Sequence, residues 1–276
     1  MRKREFCKAM AAIAGTAATG LSFAQGTDEV LKRVMSRGEL RVGAVAAAVP
    51  YFVKNRETGQ WEGFCPDFAQ SFAKSLGVKV QFVETTWGNA VLDLQSGKID
   101  VMFGAGPTPA RRKVLDFSIP LFHNTFTAVC RKGVMVKDWE QLNKPSMRIA
   151  VDLGSNQDAF ATARLPKATI LRFTQSSEAT LAVQSGRADC QALVVLLAEP
   201  LVKMQPQVGT MYVPSPVSTS DVTVAVDKGV GDGLLKRLDA WIGQARSKGE
   251  IQADILKNMQ KLVGIPPSSF PPEVKF

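Results

Sequence analysis

The strongest constraint in this chain is a passage that it contains twice. Leu94-Gln-Ser-Gly-Lys-Ile-Asp100 returns as Val183-Gln-Ser-Gly-Arg-Ala-Asp189, with Ala90 and Leu92 matched upstream by Ala179 and Leu181 at the same spacing. Each copy predicts an apolar helix that stops at a glycine suited to a left-handed cap, then a short apolar strand. The strand is read at Val101-Met102-Phe103 in the first copy and a little after the Asp in the second, at Leu193-Val194-Val195. Further upstream, Leu40-Arg-Val-Gly43 and Met147-Arg-Ile-Ala150 both read as strands that open a unit. Three matches in one order predict two related α/β lobes.

The rest of the first copy agrees. Pro66 and Asp67 suit a first helical turn, and Phe68, Phe72 and Leu76 fall at helical spacing beside Ala69 and Ala73. Val78, Val80 and Phe82 alternate with polar residues as in a half-buried strand, and Trp87 is read as opening the next helix. Strand–helix alternation implies parallel sheets, whose ligand-binding loops lie beyond the carboxyl ends of the strands, here around a shared cleft.

The amino terminus indicates export. Arg2, Lys3, Arg4 and Lys8 precede an uncharged, alanine-rich run that ends at Ser22-Phe23-Ala24, a small-x-small cleavage site, so residues 1–24 read as a secretory signal. Lys3-Arg4-Glu5-Phe6-Cys7-Lys8 also resembles a twin-arginine signal with one arginine replaced. Over 276 residues the formal charge is +9, and four of the cations leave with the signal. That mild excess, with no aromatic interleaving around Arg111-Arg112-Lys113, argues against a nucleic-acid partner. Cys65, Cys130 and Cys190 remain, an odd number that leaves at least one free thiol, expected to be buried.

Enzyme chemistry finds little support. His123 is the single histidine, so no metal site of familiar spacing appears and a serine or cysteine nucleophile would have just that one base available. Gly104-Ala105-Gly106 follows a strand, but Pro107 and Pro109 stand where a dinucleotide-binding helix would begin. No catalytic residue, metal or cofactor is assigned. Two features suit anion binding instead. Arg111 lies just past a strand end, where its guanidinium can grip a carboxylate with two parallel donors. Ser155, after Gly154 and three residues before Asp158, reads as the cap of a helix whose free N–H groups attract negative charge.

Taken in order, Gly38-Glu-Leu-Arg-Val-Gly43, Gly63-Phe64 with Asp67, Trp87, the heptapeptide ending at Asp100, Thr108-Pro-Ala-Arg-Arg-Lys-Val-Leu-Asp-Phe-Ser118 with Pro120, and Gly186-Arg-Ala-Asp189 resemble the family 3 extracellular solute-binding proteins of polar amino acid importers. The resemblance spans about Val30 to Gln260. It implies a two-lobed, type II periplasmic-binding-protein fold, a monomer that closes on one ligand and delivers it to an inner-membrane ABC permease. Lobe 1 would comprise residues 25–123 and 222–276, and lobe 2 residues 124–221, with crossovers near Asn124–Val129 and Val217–Thr223. By motif matching, Arg111 would clamp the ligand carboxylate, Thr108 would donate to it and Gly106 would offer backbone. Trp87 would lie on the ligand side chain, and Ser155 and Asn156 would complete the carboxylate site.

The chain also departs from that pattern. The position of the acid that pairs with a ligand α-ammonium is taken by Val194, and Ala192 to Ala198 contains no acid; Glu199 and Asp221 are the nearest substitutes. The loop Ala44-Val-Ala-Ala-Ala-Val49 is apolar, with Tyr51 and Phe52 just beyond. An unpaired buried ammonium costs several kcal/mol. The expectation is therefore a periplasmic binding protein for an amino acid or related small carboxylate, with the apolar residues around Val194 favouring a carboxylate whose remainder is uncharged. Two alternatives stand beside it. One is an accessory protein that has lost amino acid binding and partners a periplasmic enzyme. The other is a dehydratase of the cyclohexadienyl type, against which Leu197 stands near the place of the catalytic Glu that the resemblance implies.

Overall fold

The computed structural model describes residues 29–46, 48–229 and 232–269. The signal read at residues 1–24 lies outside them. Helix α1 (Glu29–Arg37) leads into strand β1 (Glu39–Val45), and a small ribbon of β2 (Val53–Lys54) and β3 (Trp61–Glu62) precedes helix α2 (Phe64–Leu76) and strand β4 (Lys79–Thr85). Phe64, Phe68 and Phe72 bury one face of α2, and its apolar periodicity ends at Gly77. β1 pairs in parallel with β4 from Glu39↔Lys79 to Val45↔Thr85. Helix α3 (Ala90–Gln95) and strand β5 (Met102–Ala105) complete the unit, with Val42 bridged to Val101 beside β1. Trp87 sits in the turn before α3 and does not open the helix.

Strands β6 (Leu115–Phe117) and β7 (Phe122–Cys130) are followed by the second α/β unit: β8 (Arg148–Asp152), α4 (Asn156–Arg164), β9 (Thr169–Phe173), α5 (Ser176–Gln184), β10 (Cys190–Val194) and α6 (Val195–Met204). β8 pairs in parallel with both β9 and β10. The chain closes with β11 (Thr210–Tyr212), β12 (Thr219–Asp227), α7 (Gly233–Ser247) and α8 (Glu250–Val263).

The repeated heptapeptides perform the same task in both units. Gly97 and Gly186 adopt φ of +67° and +73° and return their N–H groups to Leu94 and Val183 carbonyls, conformations that a side chain would strain. Asp100 then accepts the Arg41 backbone N–H at 2.8 Å and Arg41 Nη2 at 3.0 Å, with Arg37 as a second cation. Asp189 accepts the Arg148 backbone N–H at 2.9 Å and Arg148 Nη2 at 2.9 Å, with Arg131 as its second cation. Each Asp backbone N–H donates at 2.8 Å to the carbonyl of that arginine. In the second unit this pairing starts the strand directly after Asp189. β10 is therefore over by Val194, earlier than the apolar run suggested, and Val195 already belongs to α6.

The sheets are mixed. The strand path β5-β12-β7-β10-β8-β9 is continuous, and β7 and β12 run antiparallel to each other from Thr219↔Thr125 to Val222↔Phe122. One apolar core gathers buried residues from Val30 to Phe122 and from Val222 to Ile265, with Leu196 inserted. Residues from Phe126 to Val208 cover both faces of the β7-β10-β8-β9 region, and Leu197 packs against all of these clusters. Cys130 and Cys190, directly opposed on β7 and β10, form a disulfide, and Cys65 is free and buried. The odd count thus resolves into one cross-strand link and one enclosed thiol.

Candidate functional site

β5 ends at Ala105, and the chain turns sharply through Gly106-Pro107-Thr108-Pro109 into a short 3-10 turn at Arg111–Lys113. Thr108 Oγ accepts the Arg111 backbone N–H at 3.2 Å and so fixes that turn. The Arg111 side chain points inward and is buried. Its Nη1 donates to the Gly106 carbonyl and its Nη2 to the Trp87 and Gly154 carbonyls, each at 3.0 Å. Burial lowers its pKa to about 10. All three acceptors are neutral, so among the described residues the guanidinium is hydrogen-bonded without a counter-charge.

From the second unit, β8 delivers the start of α4. Ser155 caps that helix by accepting the Asp158 N–H at 3.1 Å, and the Asp158 carboxylate accepts the Gly154 N–H and pairs with Arg172. An acidic side chain of the protein thus already serves the positive helix end. Asn156 reaches across, with its Nδ2 donating to Ser220 Oγ on β12 at 3.0 Å. It lies so close to Gly106 that a Cβ there would meet the Asn156 Cγ at 2.5 Å.

Five of the seven residues singled out from the sequence, Arg111, Gly106, Trp87, Asn156 and Val194, meet around one cavity of only about 30 Å³. That is room for a water molecule. Thr108 and Ser155 face a separate, open groove on the other side of Arg111. Tyr51 fills much of the expected space. It is buried edge-on to Trp87, its hydroxyl accepts from Asn124 Nδ2 at 2.6 Å, and burial raises its pKa. Of the two substitute acids, Asp221 borders this cavity but pairs with His123 at 2.9 Å, and Glu199 lines neither this cavity nor its larger neighbour.

A much larger cavity of about 660 Å³ opens beside the small one, and Trp87 borders both. One wall is the apolar loop, with Val45, Ala48 and Val49; the other carries Leu193, Leu197 and Leu201. A polar strip from Thr174 to Ser177 and Thr180 crosses it, and Lys54 and Arg56 stand at its exposed edge. Its single acid is Asp152, the last residue of β8. Ser176 hydrogen-bonds the Asp152 carboxyl, while Oδ1 is shut from solvent and has no partner among the described residues. Burial drives the Asp152 pKa up to about 6, the Ser176 bond opposing it. Sequence reasoning passed over Asp152. An acid at the carboxyl end of a strand in a parallel unit was the available signal. Among the described residues no group of three or more His, Cys, Asp or Glu could hold a metal, and no helix is long and apolar enough to cross a membrane.

Comparison with known proteins agrees with this architecture. The sequence pattern of bacterial extracellular solute-binding proteins, family 3, matches residues 40–260. The chain is similar to the cyclohexadienyl dehydratase of Pseudomonas aeruginosa, 27% identical over 250 residues that cover 89% of this chain and 91% of that protein. It is 28% identical to the L-cystine-binding protein TcyJ of Escherichia coli over 249 residues, 88% of this chain and 91% of that one. Among solved structures, the ancestral amino acid-binding protein AncCDT-1, a precursor of cyclohexadienyl dehydratase, superposes with a TM-score of 0.73 at 35% identity, covering 84% of this chain and 99% of that one. With its fold and most of its length accounted for in this way, the chain belongs to family 3 of the bacterial extracellular solute-binding proteins.

Proposed function

We propose that this protein is the periplasmic solute-capturing component of an ABC importer and takes an amino acid or related small carboxylate between two lobes. The lobes are residues 25–123 with 222–276, and residues 124–221. β7 and β12 carry the two crossovers, and the export signal is removed near Ala24. The observation that carries this reading is Arg111: a buried cation whose partners are the neutral carbonyls of Trp87, Gly106 and Gly154. The Gly154 contact comes from the second unit. A ligand carboxylate that displaces it exchanges a neutral acceptor for a charged one, a bond about twice as strong. Because a cation held without a counter-charge costs several kcal/mol, an arriving anion gains more here than at an exposed arginine. Closure follows if that gain is larger in the closed form than in the open one.

A binding role is favoured over catalysis by Leu197, an apolar, partly buried side chain that supplies no proton near the place where the resemblance puts a dehydratase's catalytic Glu. The test is thermal unfolding of residues 25–276, stripped of solute, against matched α-amino acids and their keto acids. A ligand at 100 times its Kd stabilises by about 2.7 kcal/mol. Arg111→Ala should abolish every such shift while the far-ultraviolet dichroism of the fold persists. Carboxylate binding that survives this substitution would remove Arg111 from its role. Silence across the panel would favour the accessory role, to which the 30 Å³ cavity is also suited.

A further inference from the structure

The strongest feature outside the Arg111 cluster is the cavity of about 660 Å³. It has the size of small-molecule sites, about 300–1,000 Å³, and their composition, apolar walls with a few polar groups. Its wall holds one acid, and that acid is built unlike a structural carboxylate. Asp100, Asp158 and Asp189 each accept several hydrogen bonds and pair with arginine. Asp152 forms no ion pair with any described residue, takes a hydroxyl bond from Ser176, and keeps Oδ1 without a partner. The cavity's own cations do not reach it: Lys54 is engaged by Glu84 at 2.8 Å, and Arg56 is exposed.

We propose that this cavity is a cation-selecting compartment of the cleft, which takes the protonated amine of a solute with an apolar body and pairs it with Asp152. The proposal rests on the reading that the cleft captures a small solute, and it supplies the counter-charge that Val194 cannot. Asp152 lies on the cavity wall, and because a carboxylate torsion is broad and roughly two-fold its unpartnered oxygen can turn to meet a cation there. Once there, a cationic N–H donor satisfies an oxygen that the protein leaves without one, in surroundings of low dielectric where the charge pair is strong. Val45, Ala48, Leu193 and Leu197 favour a hydrocarbon body on such a ligand. The raised pKa of Asp152 agrees with an anion awaiting a cation, because a bound amine favours the ionised form.

The test uses residues 25–276, stripped of solute, at pH 7.5, with two matched series of probes. L-phenylalanine, phenethylamine and 3-phenylpropanoate share a body and carry both ends, the amine alone or the carboxylate alone; L-lysine, pentane-1,5-diamine and hexanoate do the same on an aliphatic body. Amine-bearing probes should raise the unfolding temperature, and Asp152→Asn should weaken them about tenfold or more while leaving the carboxylate-only probes within twofold. Stripped Asp152→Asn should unfold no lower than wild type, because it replaces an unpaired buried charge with a neutral group of equal size. A lower unfolding temperature would make Asp152 structural and overturn the proposal. Retention of amine binding within twofold, or silence of every amine on wild type, would overturn it as well. The carboxylate reading fails separately, through survival of hexanoate or 3-phenylpropanoate binding in Arg111→Ala.

Discussion

Asn156 stands in the space that any side chain at residue 106 would need, with its Cγ 2.5 Å from where a Cβ there would be. The two α/β units therefore meet through a glycine of one and an amide of the other, and Ser220 holds that amide in place at 3.0 Å. Gly106→Ala should overpack this contact and lower stability by about 1–3 kcal/mol. Adding Asn156→Ala should return most of the loss. A double-mutant cycle by urea unfolding measures the coupling, and strictly additive effects would place the strain elsewhere.

Two aspartates should respond to pH with opposite sign. For Asp189, burial is the largest influence and raises the pKa, but the Arg148 side chain and backbone N–H, with Arg131, outweigh it and hold the carboxyl at about 2. A depressed acid contributes stability that is complete above its unfolded value near 4 and is lost as pH falls toward 2. Asp189→Asn should accordingly cost roughly 1.5–3 kcal/mol at neutral pH, and the deficit should shrink between pH 4 and pH 2.

Asp152 works the other way. With its pKa raised to about 6, the unfolded chain loses this proton first, so the native state is penalised progressively from pH 4 to pH 6 and constantly above. The difference in unfolding temperature between Asp152→Asn and wild type should be near zero at pH 4 and reach a plateau above pH 6. Lys54 and Arg56 are the other charged groups on that cavity. A flat difference would contradict the burial of the carboxylate.

Thiol chemistry provides a further check. The Cys130–Cys190 link spans 60 residues of sequence, and breaking it should cost about 2–4 kcal/mol, read as a lower unfolding temperature in reductant. Cys65 is fully enclosed and burial raises its pKa well above that of a free thiol, so the native protein should show no reactive thiol. Denaturation of residues 25–276 without reductant should expose Cys65 alone. A fast-reacting thiol in the native state would contradict the pairing.

Much of the architecture is legible in the residues because it is local. The phenylalanines of α2, the capping glycines at 97 and 186 and the alternation of β4 each follow from the chain within a few positions. The pairing of Asp100 with Arg41, and of Asp189 with Arg148, joins residues far apart in sequence, and no periodicity encodes it. Cys130 and Cys190 meet only because β7 and β10 are neighbours. The same limit applies to the site. Arg111 is readable from a contiguous motif, whereas Asp152 looks like an ordinary strand end until Leu193, Leu197 and the Ala44–Val49 loop close around it. Tyr51, noted only as lying beyond that loop, turns inward to occupy the space beside Gly104.

The paired arginine–aspartate locks sit where strands begin, at Arg41 and Arg148, while Trp87, Gly106, Asp152 and Val194, which border the two cavities, sit where strands end or in the loops just beyond. Recognition and scaffold are thus written into different ends of the same strands. An acid can disappear at residue 194, or arise at residue 152, without touching an ion pair that the fold depends on. A chain divided in this way can exchange one cargo for another by drift at its rim, with its foundations left as they were.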